Sequence, residues 1–326
     1  MRYFVTGATG FIGGALAREL RRRGHDVITI ARNPARAGDL VAQGIEVHRG
    51  DITAKETMRA PMSDADGLFH VAAWYKIGSR ESASAQKINV DGTRNVLELM
   101  RELGIPKGVY TSTLAIYGDT KGALVDEMTP KPSHFVSEYD RTKSEAHFNV
   151  ALPMMLEGLP LVVVQPGLVY GPGDTSQMGD AFRQYVLRRL PMVPQGATYA
   201  WGYIDDIVEG HLLAMEKGKP GESYIIAGEP MNLLEAFRLA EQITGIPIPG
   251  IQLSSGLVSV LAQVMGIVNR VIPLEGQAHP EALSALNASY IGSNAKARRE
   301  LGYAPRPLAE GLRTTLEHIL REMASK

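Results

Sequence analysis

Short, almost wholly apolar runs alternate with longer amphipathic stretches through the first half of the chain. YFVT (3–6), DVITIA (26–31), IEVHRG (45–50), GLFHVAA (67–73), GVYTST (108–113) and LVVVQPG (161–167) are compact and rich in β-branched residues, and hydrophobic positions between them recur at helical spacing. Near-continuous apolar strands separated by helices are the pattern of a parallel sheet covered on both faces, which leaves a strand no solvent side on which polar residues could alternate. Helix stops are marked. Gly24 follows the first helix, Gly104 and Pro106 end a long one running from about Ser84, and Gly158 and Pro160 end the one that opens near residue 138. The pattern predicts an α/β fold with a doubly wound parallel sheet, in which ligands sit beyond the carboxyl ends of the strands.

After about residue 170 the beat changes. Segments such as YGPGDTSQMGD and LPMVPQGATYAWG alternate with helices expected near 205–217, 232–245, 255–271 and 293–302, and with a last helix from about Leu308. The expected division is a nucleotide-binding part over 1–170 and a smaller, mainly helical substrate-binding cap over 171–326. A return segment near 198–228 brings the strand ESYIIAG (222–228) back to the main sheet.

Composition narrows the function. With 326 residues, 44% hydrophobic, 21% charged and a net charge of −1, the chain has the core of a globular protein and lacks the basic field that holds nucleic acid. Arg21–Arg23 read as a helix's last turn, where positive charge meets the negative end of the dipole. The absence of cysteine excludes disulfides, thiolate nucleophiles and thiolate metal sites, no metal is expected, and a reducing cytoplasm is the expected location. No signal peptide is expected, because Met1 leads almost directly into a strand. LVSVLAQVMGIVNRVIPL (257–274) is too short and too interrupted, by Gln263, Asn269 and Arg270, to span a membrane, and suits a helix covering a pocket or a partner.

The first strand ends in GATGFIG, which places Gly7, Gly10 and Gly13 at three-residue intervals as the first helix begins. Missing side chains there let a tight turn bring backbone N–H groups and the helix amino terminus against a pyrophosphate. Thr9, Phe11 and Ile12 complete the candidate contact. The second strand ends in ITIARNP: no carboxylate is present to select the NAD ribose, and Arg32 stands where a guanidinium could take the 2′-phosphate of NADP. NADP(H) is therefore favoured over NAD(H). In GDIT, Asp51 could accept from the adenine amino group, with Ile52 beside it, and Val71, Ala72 and Ala73 of HVAAW let the chain pass close to ribose and pyrophosphate. His70 reads as a core histidine rather than a catalytic one.

EYDRTKSEA (138–146) puts Tyr139 and Lys143 four residues apart, on one face of a helix. An ammonium beside a phenol, whose ordinary pKa is about 10, favours the phenolate and makes the tyrosine an acid or base near neutral pH. Tyr-x-x-x-Lys also occurs in many helices without function, so the rest of the chain decides its weight. The fifth strand ends in YTST, exposing Ser112 and Thr113 where the nicotinamide ought to lie. A relay follows: Thr113 or Ser112 holds a carbonyl oxygen, Tyr139 gives or takes its proton, and Lys143 lowers the tyrosine pKa while binding the nicotinamide ribose.

Taken in order, TGATGFIG, GDIT, HVAAW, INVDGTRNV, TSTLAIYG, YDRTK, PGLVYGPG and YIDDIVEGHL make the chain resemble an extended short-chain dehydrogenase/reductase over nearly its whole length. The resemblance implies a Rossmann-type sheet with a smaller, mainly helical C-terminal substrate-binding part. It selects Thr113 over Ser112, matches Asn89 to the asparagine that helps hold the lysine and its water chain, and places Pro166, Gly167 and Leu168 beside the nicotinamide carboxamide.

Departures from the family pattern narrow the subgroup. Sugar-nucleotide dehydratases carry an acidic pair after the catalytic threonine, whereas here Leu114 and Ala115 follow, and the epimerase-reductases that use a cysteine are disfavoured by its absence. Nucleotide-sugar enzymes also tend to carry an asparagine at the place of Gly167 and an arginine just before Y-x-D-D, where this chain reads TYAWGYIDD. The wording instead resembles the dihydroflavonol-reductase-like and hydroxysteroid-dehydrogenase-like branch, including the hopanoid-associated sugar epimerases.

Trp74, Tyr75, Phe135, Tyr170, Met178, Phe182, Trp201 and Tyr203 lie near motif-bearing loops and could line an apolar pocket or merely pack a core. The reading is an NADP-dependent reductase of a carbonyl compound. The alternative is a sugar epimerase that keeps its cofactor bound. The resemblance further implies a homodimer through the helices of NVDGTRNVLELM and YDRTKSEAHF, where Val90, Val96, Leu97 and Met100 form an apolar stripe that either meets a partner or faces the sheet.

Overall fold

A computed structural model describes residues 1–78, 81–269, 274 and 279–324. The strands in chain order are β1 (Arg2–Thr6), β2 (Asp26–Ala31), β3 (Glu46–Arg49), β4 (Gly67–His70), β5 (Gly108–Thr111), β6 (Leu161–Pro166), β7 (Leu168–Tyr170), β8 (Val193–Pro194), β9 (Thr198–Tyr203), β10 (Ser223–Ile226), β11 (Pro230–Asn232) and β12 (Gln252–Leu253). Seven of them form one sheet in the order β10-β6-β5-β4-β1-β2-β3. Every neighbouring pair in it is parallel. This is the expected Rossmann-type sheet, and the strand 223–226 completes it by pairing with β6.

Burial explains the strand sequences. All residues of β4, β5 and β6 are buried, whereas the edge strand β3 exposes Glu46 and Arg49. Side chains of β1 alternate between two cores. Tyr3 and Val5 join Leu16, Ala17 and Leu20 of the helix Phe11–Arg22 on one face, and Phe4 joins Leu68, Val96 and Met100 on the other. Val90, Val96, Leu97 and Met100 all belong to this second core, so of the two alternatives for the stripe it is the one facing the sheet of its own chain that holds.

The sheet order reverses between β1 and β4, which opens the crevice where a dinucleotide lies in such folds. Two long helical segments flank its carboxyl end, and each carries a π turn: Gln86–Asp91 before the helix Gly92–Glu102, and His147–Ala151 after the helix Glu138–Ala146. Such wide turns tend to sit at functional sites.

Beyond β6, a second sheet runs β11-β9-β7, and β12 pairs with β8. Aromatic residues Tyr170, Phe182, Tyr185, Trp201, Tyr203 and Phe237 fill the space between this sheet and the surrounding helices. The helix Ser255–Asn269 exposes Leu257, Val260, Val264 and Ile267, and the end of the helix expected over 255–271 lies outside the described residues. Among the described residues no helix is long and apolar enough to cross a membrane.

Candidate active site

The glycine turn fits a pyrophosphate. Gly7 holds a φ of 77°, and a Cβ there would lie 2.7 Å from the Ala72 amide nitrogen. A Cβ at Gly13 would strike the Gly7 carbonyl, which already accepts the Gly10 N–H at 2.9 Å. No side chain caps the helix Phe11–Arg22 at Gly10, so the N–H groups of its first turn are left for an outside acceptor, which a phosphate provides. Across the crevice, the Val71 and Ala72 amides each donate to the Thr6 hydroxyl at 3.1 Å, tying the end of β4 to that of β1, with Ala73 next in the chain.

At the adenosine end, Arg32 follows β2 and is exposed, and Asn33 caps the turn Pro34–Arg36 by accepting from the Ala35 N–H. A pocket of about 80 Å³ opens beside the glycine turn, lined by Ala8, Thr9 and Gly10 on one side and by Arg18, Arg36 and Asp39 among others. Arg32 is not part of that lining, and the sequence reading missed Arg18 and Arg36. The signal was available: Arg18 lies two turns along the helix that opens at the glycines, and Arg36 ends the turn that Asn33 caps. Asp51 accepts the Thr53 N–H at 2.9 Å, and Ile52 is buried in the core where Gly92 passes.

The candidate proton-handling groups meet at the end of β5. Ser137 caps the helix Glu138–Ala146 by accepting the Asp140 N–H, which fixes the start of the helix and the direction of Tyr139. The Tyr139 ring stands edge-on to Tyr75, with centroids 4.8 Å apart, and the Thr113 hydroxyl is close enough to pull the phenol's pKa down in part against its burial. Thr113 also accepts the Ala115 N–H, which starts the turn Leu114–Tyr117. Ser112 is buried, and its hydroxyl has no partner among the described residues.

Lys143 sits one turn along from Tyr139 at 2% exposure, donating to the Thr111 carbonyl at 2.8 Å and to the Tyr110 hydroxyl at 3.2 Å. Burial pulls its amine down to about 7 and pushes the Tyr139 phenol well above its ordinary value. For both groups the largest cause is desolvation, which penalises each charged form, and Lys143 is not among the causes at Tyr139.

Asn89 is used for positioning. Its Nδ2 donates to the Thr142 hydroxyl at 2.9 Å and to the Trp74 carbonyl at 3.1 Å, while its Oδ1 accepts the Trp74 N–H at 2.7 Å. It thereby pins the loop after β4 to the helix of Tyr139 and Lys143. Pro166 ends β6, the neighbour of β5, and Gly167 and Leu168 follow it, half-buried.

Of the eight residues offered for a pocket, Trp74, Tyr75, Tyr170 and Trp201 divide. Tyr75 meets Tyr139, and Trp74 adjoins it on the loop held by Asn89. Tyr170 and Trp201 do not reach the site. They pack edge-on to each other inside the aromatic core, with Tyr170 donating to the Leu308 carbonyl and Trp201 to the Met231 carbonyl. An amphipathic ring near a motif satisfies a cap's core as well as a pocket.

A further set was not anticipated. The Tyr290 hydroxyl donates to Asp140 at 2.8 Å, the Ser137 hydroxyl donates to the other carboxylate oxygen at 2.8 Å, and Tyr290 stacks on Tyr199. Burial raises Asp140 to about 6. Among the described residues no group of three or more metal-ligating side chains is gathered.

Comparison with known proteins agrees with this geometry. A putative dihydroflavonol 4-reductase of Synechocystis is 32% identical over 76% of this chain and 74% of its own. A 4-hydroxy-2-methyl-3-oxo-4-farnesyl-3,4-dihydroquinoline-1-oxide ketoreductase of Stigmatella aurantiaca is 31% identical over 94% and 92%. Among solved structures, that of gox2253 superposes with a TM-score of 0.85 at 31% identity over 98% of both chains. The UDP-glucose 4-epimerase of Thermotoga maritima shares the fold, with a TM-score of 0.78 at 24% identity over 99% and 100%. Residues 3–227 match the NAD dependent epimerase/dehydratase family, and with the dinucleotide crevice and the Thr113, Tyr139 and Lys143 set in place, the chain belongs to that family of oxidoreductases.

Proposed function

We propose that the protein is an NADP-dependent reductase of an apolar aldehyde or ketone. The observation that carries this reading is the convergence of Thr113, Tyr139 and Lys143 at the end of β5, beside Tyr75. Gly7, Gly10 and Gly13 with the first-turn amides would hold the pyrophosphate, and Arg18, Arg32 and Arg36 would favour a 2′-phosphate. Bound there, the reduced nicotinamide supplies hydride to the carbonyl carbon. Thr113 orients the carbonyl oxygen by donating to it, and Tyr139 delivers the proton that this oxygen takes up. Lys143 is one turn behind to restore the phenol's proton.

Several features favour an apolar substrate. Trp74, Tyr75, Tyr199 and Tyr290 lie around Tyr139 and Asp140, and no dehydratase-type acidic pair follows Thr113. Relatives of comparable identity are named for ketones that carry apolar chains. One is the farnesyl-quinoline ketoreductase, and another is a 2-alkyl-3-oxoalkanoate reductase of Stenotrophomonas maltophilia, 31% identical over 96% of this chain and 98% of its own.

The test is to purify the protein, denature it and assay the supernatant for nicotinamide, while titrating the intact protein with NADPH and NADH by fluorescence. Little retained cofactor, tighter binding of NADPH and reduction of apolar ketones that Tyr139→Phe abolishes are expected. Near-stoichiometric retained NAD would overturn the reading in favour of an epimerase that returns hydride to the same substrate.

A further inference from the structure

Tyr139 is the second residue of its helix, in the first turn, where backbone N–H groups lack partners inside the helix and the end frays most readily. What holds this end therefore decides where the phenol stands. Ser137 caps it locally, and two further ties arrive from 143 and 150 positions along the chain.

The first is Glu281, in the helix Pro280–Ala285. It accepts the Glu138 N–H on Oε1 at 3.2 Å and the Gly78 N–H on Oε2 at 3.4 Å. Gly78 lies on the loop that carries Trp74 and Tyr75, so one carboxylate joins the two stretches whose rings meet as Tyr75 and Tyr139. The second tie is on the other side of the tyrosine. Asp140 receives the Tyr290 hydroxyl on Oδ2 and the Ser137 hydroxyl on Oδ1, each at 2.8 Å. Asp140 is 2% exposed, so water does not readily replace a lost partner there.

Tyr290 is itself fixed. Its N–H donates to the Thr198 carbonyl at 2.9 Å and its carbonyl accepts the Ala200 N–H at 3.0 Å, both in β9, while its ring stacks on Tyr199 at an interplanar angle of 10°. On either side of it, the Ser289 and Ile291 carbonyls accept the Thr120 and Val125 N–H groups. The Tyr290 hydroxyl is thus the anchor, and Asp140 the group it locates.

We infer that Tyr290 is a positioning residue for Tyr139, acting through Asp140, and that Glu281 holds the same helix end from its other flank. The inference rests on the reading of Tyr139 as the proton donor. Residues 138 and 140 bracket that tyrosine, and both are tied to residues beyond β10, the last strand of the main sheet to enter it. Position matters because misplacing a reacting group by about 1 Å can cost about a hundredfold in rate. The tie needs hydrogen bonds rather than charge. An amide at position 140 still offers an acceptor to Ser137 and a donor to Tyr290, whose hydroxyl can accept.

The experiment has two arms on the full-length chain. In the first, the tyrosine rings are labelled with ¹³C, and the Tyr139 resonances are assigned with Tyr139→Phe. Tyr290→Phe keeps the ring and its stack on Tyr199 and removes only the hydroxyl, and it is expected to broaden or split the Tyr139 resonances. Asp140→Ala should do the same, and Asp140→Asn should not. In the second arm, with NADPH and a medium-chain methyl ketone, Tyr290→Phe should lower kcat about tenfold and leave the KM for NADPH unchanged. The solvent deuterium isotope effect on kcat should rise as proton delivery slows. The double variant Tyr290→Phe with Asp140→Ala should lose no more than Asp140→Ala alone, because both cut one path.

A merely structural hydroxyl would lower the melting temperature and leave the Tyr139 resonances and the isotope effect as they are, and that result would overturn the inference. Additive losses in the double variant would do the same, as would a change confined to the KM for the ketone. If Tyr290→Phe does not fold, Glu281→Ala gives the second reading. Broadening of Tyr139 that Glu281→Gln reverses is then expected, and unmoved resonances would refute the bracket. The resonance arm needs no turnover. Its failure therefore leaves the reductase reading standing, and failure of the ketone assay leaves the resonances interpretable.

Discussion

Replacing Lys143 by methionine should stabilise the fold at neutral pH and change how its stability depends on pH. Lys143 is 2% exposed, and burial brings its amine from 10.5 to about 7. A displacement of that size corresponds to about 5 kcal/mol between the ends of the window, at about 1.4 kcal/mol per unit. The sign follows from proton binding. Between about pH 7 and about pH 10.5 the unfolded chain holds the lysine proton and the folded chain does not, so stability rises with pH. Below about pH 7 both states are protonated, and the full burial penalty is present. Methionine keeps the chain length and removes the charge, so its profile should lack this component. Urea titrations of both proteins from about pH 7 to about pH 9 should show the natural chain gaining about 2–3 kcal/mol on the variant. Parallel profiles would refute the argument, because they would mean that the amine has the same proton affinity in both states.

Asp140 behaves in the opposite sense. Burial raises it to about 6 from 3.8, so the folded chain binds the proton more tightly, and stability falls as pH rises through about 4 to 6. Asp140→Asn should flatten that decline, worth about 3 kcal/mol, in denaturation curves across the interval. Asn89→Ala leaves the Trp74 N–H and the Thr142 hydroxyl short of a buried partner and should cost about 2–3 kcal/mol, read from the shift of the urea midpoint at constant m-value. Arg36→Ala, with Arg18→Ala beside it, should weaken NADPH by about tenfold while leaving NADH almost unchanged in fluorescence titrations. An equal loss for both cofactors would remove the 2′-phosphate assignment.

The sheet was legible because its strands are buried on both faces. A run such as LVVVQP can satisfy its side chains only in that setting, and the glycine intervals of GATGFIG admit few turns. The chemistry of Tyr139 and Lys143 was legible as a pair of residue types at helical spacing, but its electrostatics were not. Spacing places two groups on one face without stating how much water remains. Burial raises the Tyr139 phenol, and one ring against it, Tyr75, comes from a loop distant in the chain. The contact of Tyr290 with Asp140 spans 150 positions, and no periodicity announces it. The aromatic residues divided for the same reason. Tyr75 follows a strand end that faces the relay, whereas Tyr170 and Trp201 lie on neighbouring strands of a second sheet whose existence the sequence pattern did not reveal.

The relay itself is indifferent to whether hydride returns to the same substrate, so the substrate is decided by what surrounds it. Two positions argue against a sugar diphosphate more strongly in space than in sequence. A Cβ at Gly167 would strike the Ala200 carbonyl, so the asparagine expected there in nucleotide-sugar enzymes has no room without moving β9. A guanidinium does stand near YIDD: the C-terminal segment brings Arg306 over the Tyr203 ring at 4.2 Å. Its guanidinium is already engaged by both oxygens of Asp206 at 2.9 and 3.0 Å. Moving it to a diphosphate would strand a carboxylate of low exposure, a cost that a ligand would have to offset before gaining anything. Neither position thus supplies a free partner for a diphosphate: Gly167 has no room for an asparagine, and Arg306 is held by Asp206, which supports the proposed carbonyl substrate over a sugar diphosphate.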